Sequence, residues 1–418
     1  MLLALTLLVY TLLAGWRPFS WFPPVVALPI IVGCMILLGR LHQITIPRWW
    51  ARWYGLLISI FVWSLVSDTV NGSLELNIDR IENLLFTCLF AFFCMTTIRS
   101  EKQMRRLLLV VVCGVSLSAA VAILQISPYR EPFLAVWRWR YDMTNSSPET
   151  MERIQTLYTF ILNRRAAGLT PYSLNLAHQI VQALPLAACL FLTEIRRTWQ
   201  AFVLWCLVAH ILGAISTGAR IAIFIGLGAF GASLLYVKRP ISLLSRRGRS
   251  RLKCLLMAII VIAVLVVPLS QALSLYKIRL LTEGEKLRVA TWLSVGALFV
   301  ERPQALLLGL GGGGFTEWGR QAGVLGSLHN QLLGTLVEFG LPGLLLLLSF
   351  YAMTFRTVRY VKIDQFGRLG KAFVYQRCYV MSLLAYIVAS LFHDQGPFTG
   401  DLFHLMLLSI FVTLPKCQ

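Results

Sequence analysis

The chain alternates long apolar runs with shorter polar connections from one end of its 418 residues to the other. A helix needs roughly 17 to 25 consecutive apolar residues to cross a bilayer, and about twelve runs reach or approach that length. They begin near Leu2, Trp21, Trp53, Ile81, Leu107, Asn175, Gln200, Arg220, Cys254, Asn330, Cys378 and Leu402. The pattern predicts an all-α polytopic membrane protein in which residues 1–418 form a single membrane domain with about 12 transmembrane helices.

Composition supports this prediction, since 57% of the residues are hydrophobic and only 13% are charged. The net charge of +20 is of the size found in nucleic-acid-binding proteins, but its distribution has another explanation. Alternate predicted loops hold 23 of the 38 Lys and Arg residues and only three acidic residues. Cytoplasmic loops of membrane proteins carry such an excess of Lys and Arg. The charges therefore predict that both termini are cytoplasmic, and they indicate contact with the phospholipid bilayer and no nucleic-acid partner.

The nine cysteines do not suggest a disulfide framework. All of them fall in predicted spans or on the cytoplasmic side, so the outer loops contain none. The sequence also lacks a CxxC or HExxH pair, and no metal site is predicted.

Two predicted outer segments, residues 127–172 and 270–328, are longer than simple connections and are expected to be functional. The first contains the aromatic and basic run WRWRY. The second contains KLRVATWLSVGALFV, whose apolar residues recur at about helical spacing, followed by ERP and by GLGGGG. We expect an amphipathic helix at the membrane surface and then a tight glycine turn. The glycine run lacks the GK[ST] ending of a nucleotide-binding loop.

Histidines divide between the spans and the outer side. His210 and His404 lie within apolar runs, where packing or hydrogen bonding between helices is the expected role. His178, His329 and His393 are predicted to lie on the outer side. His329 stands directly before a helix that is interrupted by GLPG and then continues as a leucine run.

Arginines form a second group on the predicted outer side. Arg220 begins a span, Arg288 lies in the predicted surface helix, and Arg164 and Arg165 follow the aromatic part of the first long segment. A single arginine at a helix end often extends to lipid headgroups. Several arginines that converge with a histidine favour a phosphate-bearing ligand, because guanidinium groups bind phosphate oxygens bidentately.

Three motifs carry a resemblance to a known family. They are [ST]xxR, from Ser216 or Thr217 to Arg220; LRxxxW with ERP and GxGxxxF, from Arg288 to Phe315; and HNxxLxxLxExGLxGL, from His329 to Leu344. In this order the motifs resemble those of the O-antigen ligase and O-antigen polymerase family of bacterial inner membranes.

The resemblance implies a GT-C-like glycosyltransferase of the bacterial inner membrane with its active site on the periplasmic side. The donor would be a glycan linked to undecaprenyl pyrophosphate. In the ligases the acceptor is a sugar hydroxyl of the lipid A-core, and in the polymerases it is the end of another lipid-linked repeat unit. The motifs serve both activities, and we favour the ligase because WRWRY is suited to a phosphorylated core sugar. Neither a cofactor nor a metal is implied.

The resemblance also implies roles for individual residues. His329 would act as the general base on the acceptor hydroxyl, while Arg220 and Arg288 would stabilise the pyrophosphate leaving group. Further donor or acceptor contacts are expected from Arg164, Arg165, Asn330, Glu338 and His178. Asn330 is also a predicted helix cap. Glu338 follows His329 by nine residues, which on a continuous helix places it on roughly the opposite face.

A secondary transporter or lipid flippase is the alternative from another class. Such proteins are expected to carry intramembrane charges near the midplane and repeated halves. This sequence shows no repeated half, and its polar groups gather at the outer boundary of the spans, so an enzyme is favoured.

Overall fold

A computed structural model describes most of the chain. The described residues are 3–7, 29, 31–33, 35, 46–74, 77–142, 158–159, 161, 165–170, 173–193, 196–238, 278–324, 327–359, 371–393 and 395–413. The spans predicted near Leu2, Trp21 and Cys254 fall largely or wholly outside these residues, as does Arg164.

The described part of the chain is all-helical and contains no β-strand. Its α-helices are α1 (Arg48–Val70), α2 (Ile78–Thr97), α3 (Glu101–Gln125), α4 (Glu131–Asp142), α5 (Ser173–Thr193), α6 (Arg197–Ser216), α7 (Arg220–Lys238), α8 (Ile278–Glu301), α9 (Ala305–Leu308), α10 (Gly314–Gln321), α11 (Gln331–Arg359), α12 (Lys371–Ser390) and α13 (Leu402–Phe411). A short 3₁₀ helix, Pro397–Thr399, precedes α13. The predicted all-α class is confirmed for these residues.

Five of the helices are long and apolar enough to cross a membrane: α1, α3, α5, α6 and most of α11. Five such helices are consistent with the predicted α-helical membrane protein. The total of about twelve spans stays a prediction.

Helix α5 lies at the centre of the bundle. It packs against α3, α6, α7 and α12, and nearly all of its side chains are buried by protein. Peripheral helices instead leave large apolar side chains uncovered, such as Trp205 on α6 and Phe224 on α7, each 72% exposed. Apolar side chains on the outside of a bundle are expected where the surroundings are lipid.

Helix α11 is broken where the sequence reads GLPG. Gly340 has φ 67° and ψ −173°, a conformation outside the helical region, and Pro342 follows it. A side chain at Gly340 would collide with the carbonyl group of Leu307, so only glycine allows the close approach of the two backbones. The predicted interruption is therefore present, and it lies against the loop between α9 and α10.

Hydrogen bonds gather many helix ends at one end of the bundle, which we call the outer end. Gln331, the first residue of α11, accepts from Ser390, the last residue of α12. Asn175, near the start of α5, bonds to Gln395. Gln125, the last residue of α3, binds the backbone of residues 167–168, and the carbonyl of Ser216 at the end of α6 accepts from Ala166. The outer end is the one predicted to face the periplasm.

Both long predicted outer segments contain ordered helices. Helix α4 lies in residues 127–172, and its Trp137 is buried against Tyr158 and donates to the carbonyl of Thr170. Helices α8, α9 and α10 lie in residues 270–328. Buried Thr291, Val295 and Leu298 recur along α8 at the spacing of one helix face. That face packs with the start of α11, and this places the second segment over the outer end.

Candidate functional site at the outer end

His329 occupies an unusual backbone conformation. Its φ of 48° is the one positive φ of any non-glycine residue in the described part of the chain. Left-handed backbone at a residue with a Cβ costs of the order of 1–3 kcal/mol and persists where the surroundings impose it. The Oγ of Ser327 lies 3.2 Å from Nδ1 of His329, so the ring is held by its own turn.

Three histidines that are far apart in the sequence come together beside this turn. The ring of His393 lies 6.1 Å from that of His329 and 5.4 Å from that of His178, in both cases edge to face. We call these residues the histidine group. His178 comes from α5, His393 follows α12, and His329 precedes α11, so the group depends on the packing of three helix ends.

His178 is the innermost member of the group. It is 1% exposed, and neither ring nitrogen has a hydrogen-bond partner among the described residues. Tyr386 packs edge-on against the ring at 5.7 Å. A buried polar group without a partner is uncommon and costs free energy, so its presence in a group of histidines requires an explanation.

Arg288 lies within electrostatic range of the histidine group. Burial, and to a smaller extent electrostatic repulsion from His178, His329 and Arg288, lowers the pKa of His393 to about 3. His393 is therefore neutral at physiological pH. Since Arg288 and His329 both act on His393, the predicted arginine of α8 and the predicted base occupy one region of the outer end.

Asn330 and Gln331 fix the start of α11. The side-chain oxygen of Asn330 accepts from the N–H of Leu333 at 3.1 Å, which is a helix cap of the predicted kind. Gln331 donates to the hydroxyl of Tyr351 at 3.1 Å and accepts from Ser390 at 2.5 Å. The residue after the His329–Asn330 pair is thus tied to α12, which ends three residues before His393.

A partly open cleft of about 140 Å³ lies next to His329. Ser327, which contacts His329, forms part of its wall, together with Phe315 of α10 and Phe339 of α11. Glu338 and Gln331 line it as well. Glu338 was predicted to lie on the opposite helix face from His329, as it would if the two residues shared one continuous helix. That premise was wrong, because His329 precedes α11 and does not share its helical rotation.

The carboxylate of Glu338 binds the glycine loop, residues 309–314. The N–H of Gly313 donates to Oε1 of Glu338 at 3.0 Å, and the Glu338 carbonyl accepts from Gly311 at 3.0 Å. Gly309, Gly311 and Gly313 all have φ near +74°, as the predicted tight turn requires. The loop therefore holds one wall of the cleft.

A buried ion pair that sequence reasoning missed supports the same loop. Asp68, at the end of α1, is 0% exposed and pairs with Arg80 of α2. The other carboxylate oxygen of Asp68 accepts from the N–H of Gly312 at 2.8 Å and from Ser73 at 3.2 Å. The Arg80 guanidinium also lies 4.8 Å above the ring of Phe339. Asp68 and Arg80 matched no motif, so no sequence signal separated them from ordinary polar residues at helix ends.

The other predicted arginines are not located relative to the histidine group. Arg220 is the first residue of α7, and its side chain lies outside the described part of the structure, as does all of Arg164. Arg165 is exposed, and the neighbouring Ala166 bonds to Ser216, so Arg165 lies near the [ST]xxR motif. Nothing in the described geometry brings Arg165 to the histidine group.

The two predicted intramembrane histidines make bonds between helices, as expected. His210 of α6 lies 3.2 Å from the hydroxyl of Ser116 on α3, and Nδ1 of His404 lies 2.7 Å from Oε1 of Gln182 on α5. Among the described residues, no group of three His, Cys, Asp or Glu side chains has an arrangement that fits a metal ion.

Comparison with known proteins gives no match, neither to any protein-family model nor to any curated protein. The motifs and the geometry of the outer end are therefore the basis for a function.

Proposed function

We propose that the protein is a metal-independent membrane glycosyltransferase of the O-antigen ligase type. It transfers a glycan from undecaprenyl pyrophosphate to a sugar hydroxyl of the lipid A-core at the periplasmic face of the bacterial inner membrane. One observation carries the proposal: the ring of His329, the first residue of the motif, contacts both Ser327 and His393 at the outer end. Arg288 shares this region, and a cleft with polar and apolar walls lies beside it.

The reaction assigns His329 the role of general base. The acceptor hydroxyl attacks the anomeric carbon of the donor glycan and passes its proton to a ring nitrogen of His329. The new bond joins the acceptor oxygen to the anomeric carbon, and the bond from that carbon to the pyrophosphate oxygen breaks. A neutral imidazole accepts such a proton at neutral pH.

Arg288 and Arg220 assist the departing group. Negative charge develops on the pyrophosphate oxygens as undecaprenyl pyrophosphate leaves with the bonding electrons. Preorganised guanidinium groups stabilise this charge, and they do so in the transition state more than in the bound substrate. Support for Arg288 comes from its position within electrostatic range of the histidine group. Support for Arg220 comes from the motif alone.

The polymerase activity of the same family is the alternative, because the base and the leaving group are the same and only the acceptor differs. A reconstituted assay separates the two activities. Purified protein in lipid nanodiscs receives the undecaprenyl-pyrophosphate-linked glycan with either lipid A-core or a second lipid-linked glycan, and products are identified by mass spectrometry. We expect glycosylated lipid A-core and released undecaprenyl pyrophosphate, with no loss of activity in EDTA. Elongated lipid-linked glycan would identify a polymerase instead.

A deletion strain provides the matching test in cells. A ligase is missing when lipopolysaccharide is rough and the lipid-linked polymer accumulates intact. A polymerase is missing when single repeat units cap the core. Absence of transfer with both acceptors in the assay, together with an unchanged glycan profile in the deletion strain, would contradict the proposed function.

A further inference from the structure

We infer that helix α9 and the glycine loop form a re-entrant segment, which enters the leaflet of the bilayer at the outer end of the bundle. The leucine side chains of α9 then contact the acyl chains of phospholipid. This inference does not depend on the proposed function. Its basis is the exposure of α9, the depth of α9 beside two helices that are long enough to cross a membrane, and the pairing of the backbone.

Helix α9 carries three consecutive leucines that the rest of the protein leaves uncovered. Leu307 is 62% exposed, and Leu306 and Leu308 are exposed as well. Ala305, the first residue of the helix, is buried. Contiguous exposed apolar side chains mark contact with another molecule or with a membrane.

Contacts with α1 and α11 give the depth of α9. The hydroxyl of Ser67 on α1 donates to the carbonyl oxygen of Leu308 at 2.9 Å, and the backbone of Leu307 meets Gly340 at the break in α11. At a helical rise of about 1.5 Å per residue, Ser67 lies about 5 Å before Val70, the last residue of α1. Val70 is exposed, so the uncovered apolar surface of α1 extends further towards the outer end than the level of α9.

The protein surface at this depth has the character of a lipid-facing surface. Further exposed apolar residues lie on both neighbouring helices: Val62 and Val66 on α1, and Leu341, Leu345 and Leu348 on α11. Both helices are long and apolar enough to cross a membrane. Apolar side chains on the outside of a membrane-spanning bundle are covered by lipid. The leucines of α9 therefore face the same acyl chains as α1 and α11.

Backbone pairing in the glycine loop fits this depth. Irregular backbone in the hydrocarbon region has no water to bind, so its N–H groups need acceptors from the protein. The N–H groups of residues 309–314 all have such acceptors. The acceptors are the carbonyl groups of Ala305, Gly311, Val337 and Glu338 and the carboxylates of Asp68 and Glu338.

The break in α11 is paired in the same way. Pro342 has no N–H for the carbonyl of Glu338, and this carbonyl accepts from Gly311. The carbonyl of Phe339 accepts from the indole N–H of Trp63 at 2.8 Å. Donors from the protein thus serve the carbonyl groups beside Gly340, and the interruption is compatible with a position inside the bilayer.

Spin labels test the depth of α9. A nitroxide is attached at Leu307→Cys, Val66→Cys or Arg320→Cys in a variant without the nine native cysteines, in nanodiscs of phosphatidylethanolamine and phosphatidylglycerol. Val66 is the lipid-facing control, and Arg320, exposed on α10, is the aqueous control. The accessibility to oxygen, which dissolves in lipid, is divided by the accessibility to a water-soluble nickel chelate. We expect the ratio at Leu307 to be within about twofold of that at Val66 and more than about tenfold above that at Arg320.

Two other outcomes would overturn the inference. A ratio at Leu307 equal to that at Arg320 would place α9 in water. Low accessibility to both reagents at Leu307 would mean that protein, such as a second copy of this chain, covers α9.

A second measurement keeps the native cysteines and so does not depend on the folding of the cysteine-free variant. The photoreactive residue p-benzoylphenylalanine replaces Leu307, Val66 or Arg320, and the products of irradiation in the same nanodiscs are identified by mass spectrometry. We expect phospholipid adducts at Leu307 and Val66 and none at Arg320. An adduct at Val66 without one at Leu307, or a cross-link from Leu307 to a second copy of the chain, would contradict the contact of α9 with lipid.

Discussion

The Asp68–Arg80 pair and the histidine group lie at the same end of the bundle but differ in how their polar atoms are satisfied. Both oxygens of Asp68 have donors, which come from Arg80, Gly312 and Ser73. In the histidine group, both nitrogens of His178 lack partners among the described residues, and His329 has left-handed backbone.

This difference distinguishes residues that hold the fold together from residues that are candidates for the reaction. A buried carboxylate that binds an arginine and the backbone of a distant loop holds two parts of the fold in register. Strained or unsatisfied polar residues persist where selection acts on something other than stability. We therefore expect substitutions in the ion pair to lower stability and substitutions in the histidine group to lower activity.

The largest expected effect on activity is that of His329→Ala. Loss of a general base lowers the rate about 10²- to 10⁴-fold. The variant should keep the folded yield and thermal stability of wild type, measured by transfer rate and by unfolding in detergent. His329→Gly should be equally inactive and more stable than His329→Ala, because glycine adopts φ 48° without strain. An alanine variant that transfers glycan at the normal rate would remove His329 from the mechanism.

Asp68→Asn should have the largest effect on stability. It leaves Arg80 buried without its counter-charge, and breaking a buried pair costs about 3–5 kcal/mol. The double variant Asp68→Asn with Arg80→Gln should recover part of the loss, since no buried charge then remains. Thermal unfolding measures both. The protein that stays folded should keep most of its transfer activity; selective loss of activity without loss of stability would place the pair in the reaction.

Arg288→Lys tests the proposed contact between Arg288 and the pyrophosphate. It keeps a positive charge but loses the planar, bidentate group, and we expect about a 10²-fold lower transfer rate. Arg320→Lys is the matched control, since Arg320 is exposed on α10 and pairs with Glu317. Near-normal transfer by Arg288→Lys at equal folded concentration would contradict the proposed contact with pyrophosphate.

The smallest expected effect concerns pH. Burial lowers the pKa of His393 to about 3, below the value of about 6.5 in an unfolded chain. The unfolded chain therefore binds more protons between these values, and the folded state loses stability as the pH falls from 6.5 towards 3. His393→Gln should weaken this dependence, measured by unfolding temperature between pH 7 and pH 4. A steeper dependence in the variant would mean that His393 is charged in the folded protein.

Local features of the sequence predicted local features of the structure. Alternation of apolar and polar runs predicted the helices, Asn330 predicted a cap, and GLPG predicted the break at Gly340. The glycine run predicted a tight turn, and positive φ values occur there. The predicted membrane topology placed His178, His329 and His393 on the same side of the membrane. It did not predict that their rings contact one another, and His393 was not among the predicted site residues.

The sequence by itself determined a helical membrane protein with its candidate site residues near one boundary of the predicted spans. It could do so because the length and the periodicity of an apolar run depend only on residues that are neighbours along the chain. Only the tertiary structure decided which of those residues meet. Asp68 binds Gly312 across 244 positions, and the cleft combines residues from α10, α11 and the segment before α13. Such contacts arise from the packing of whole helices, and no local pattern encodes them.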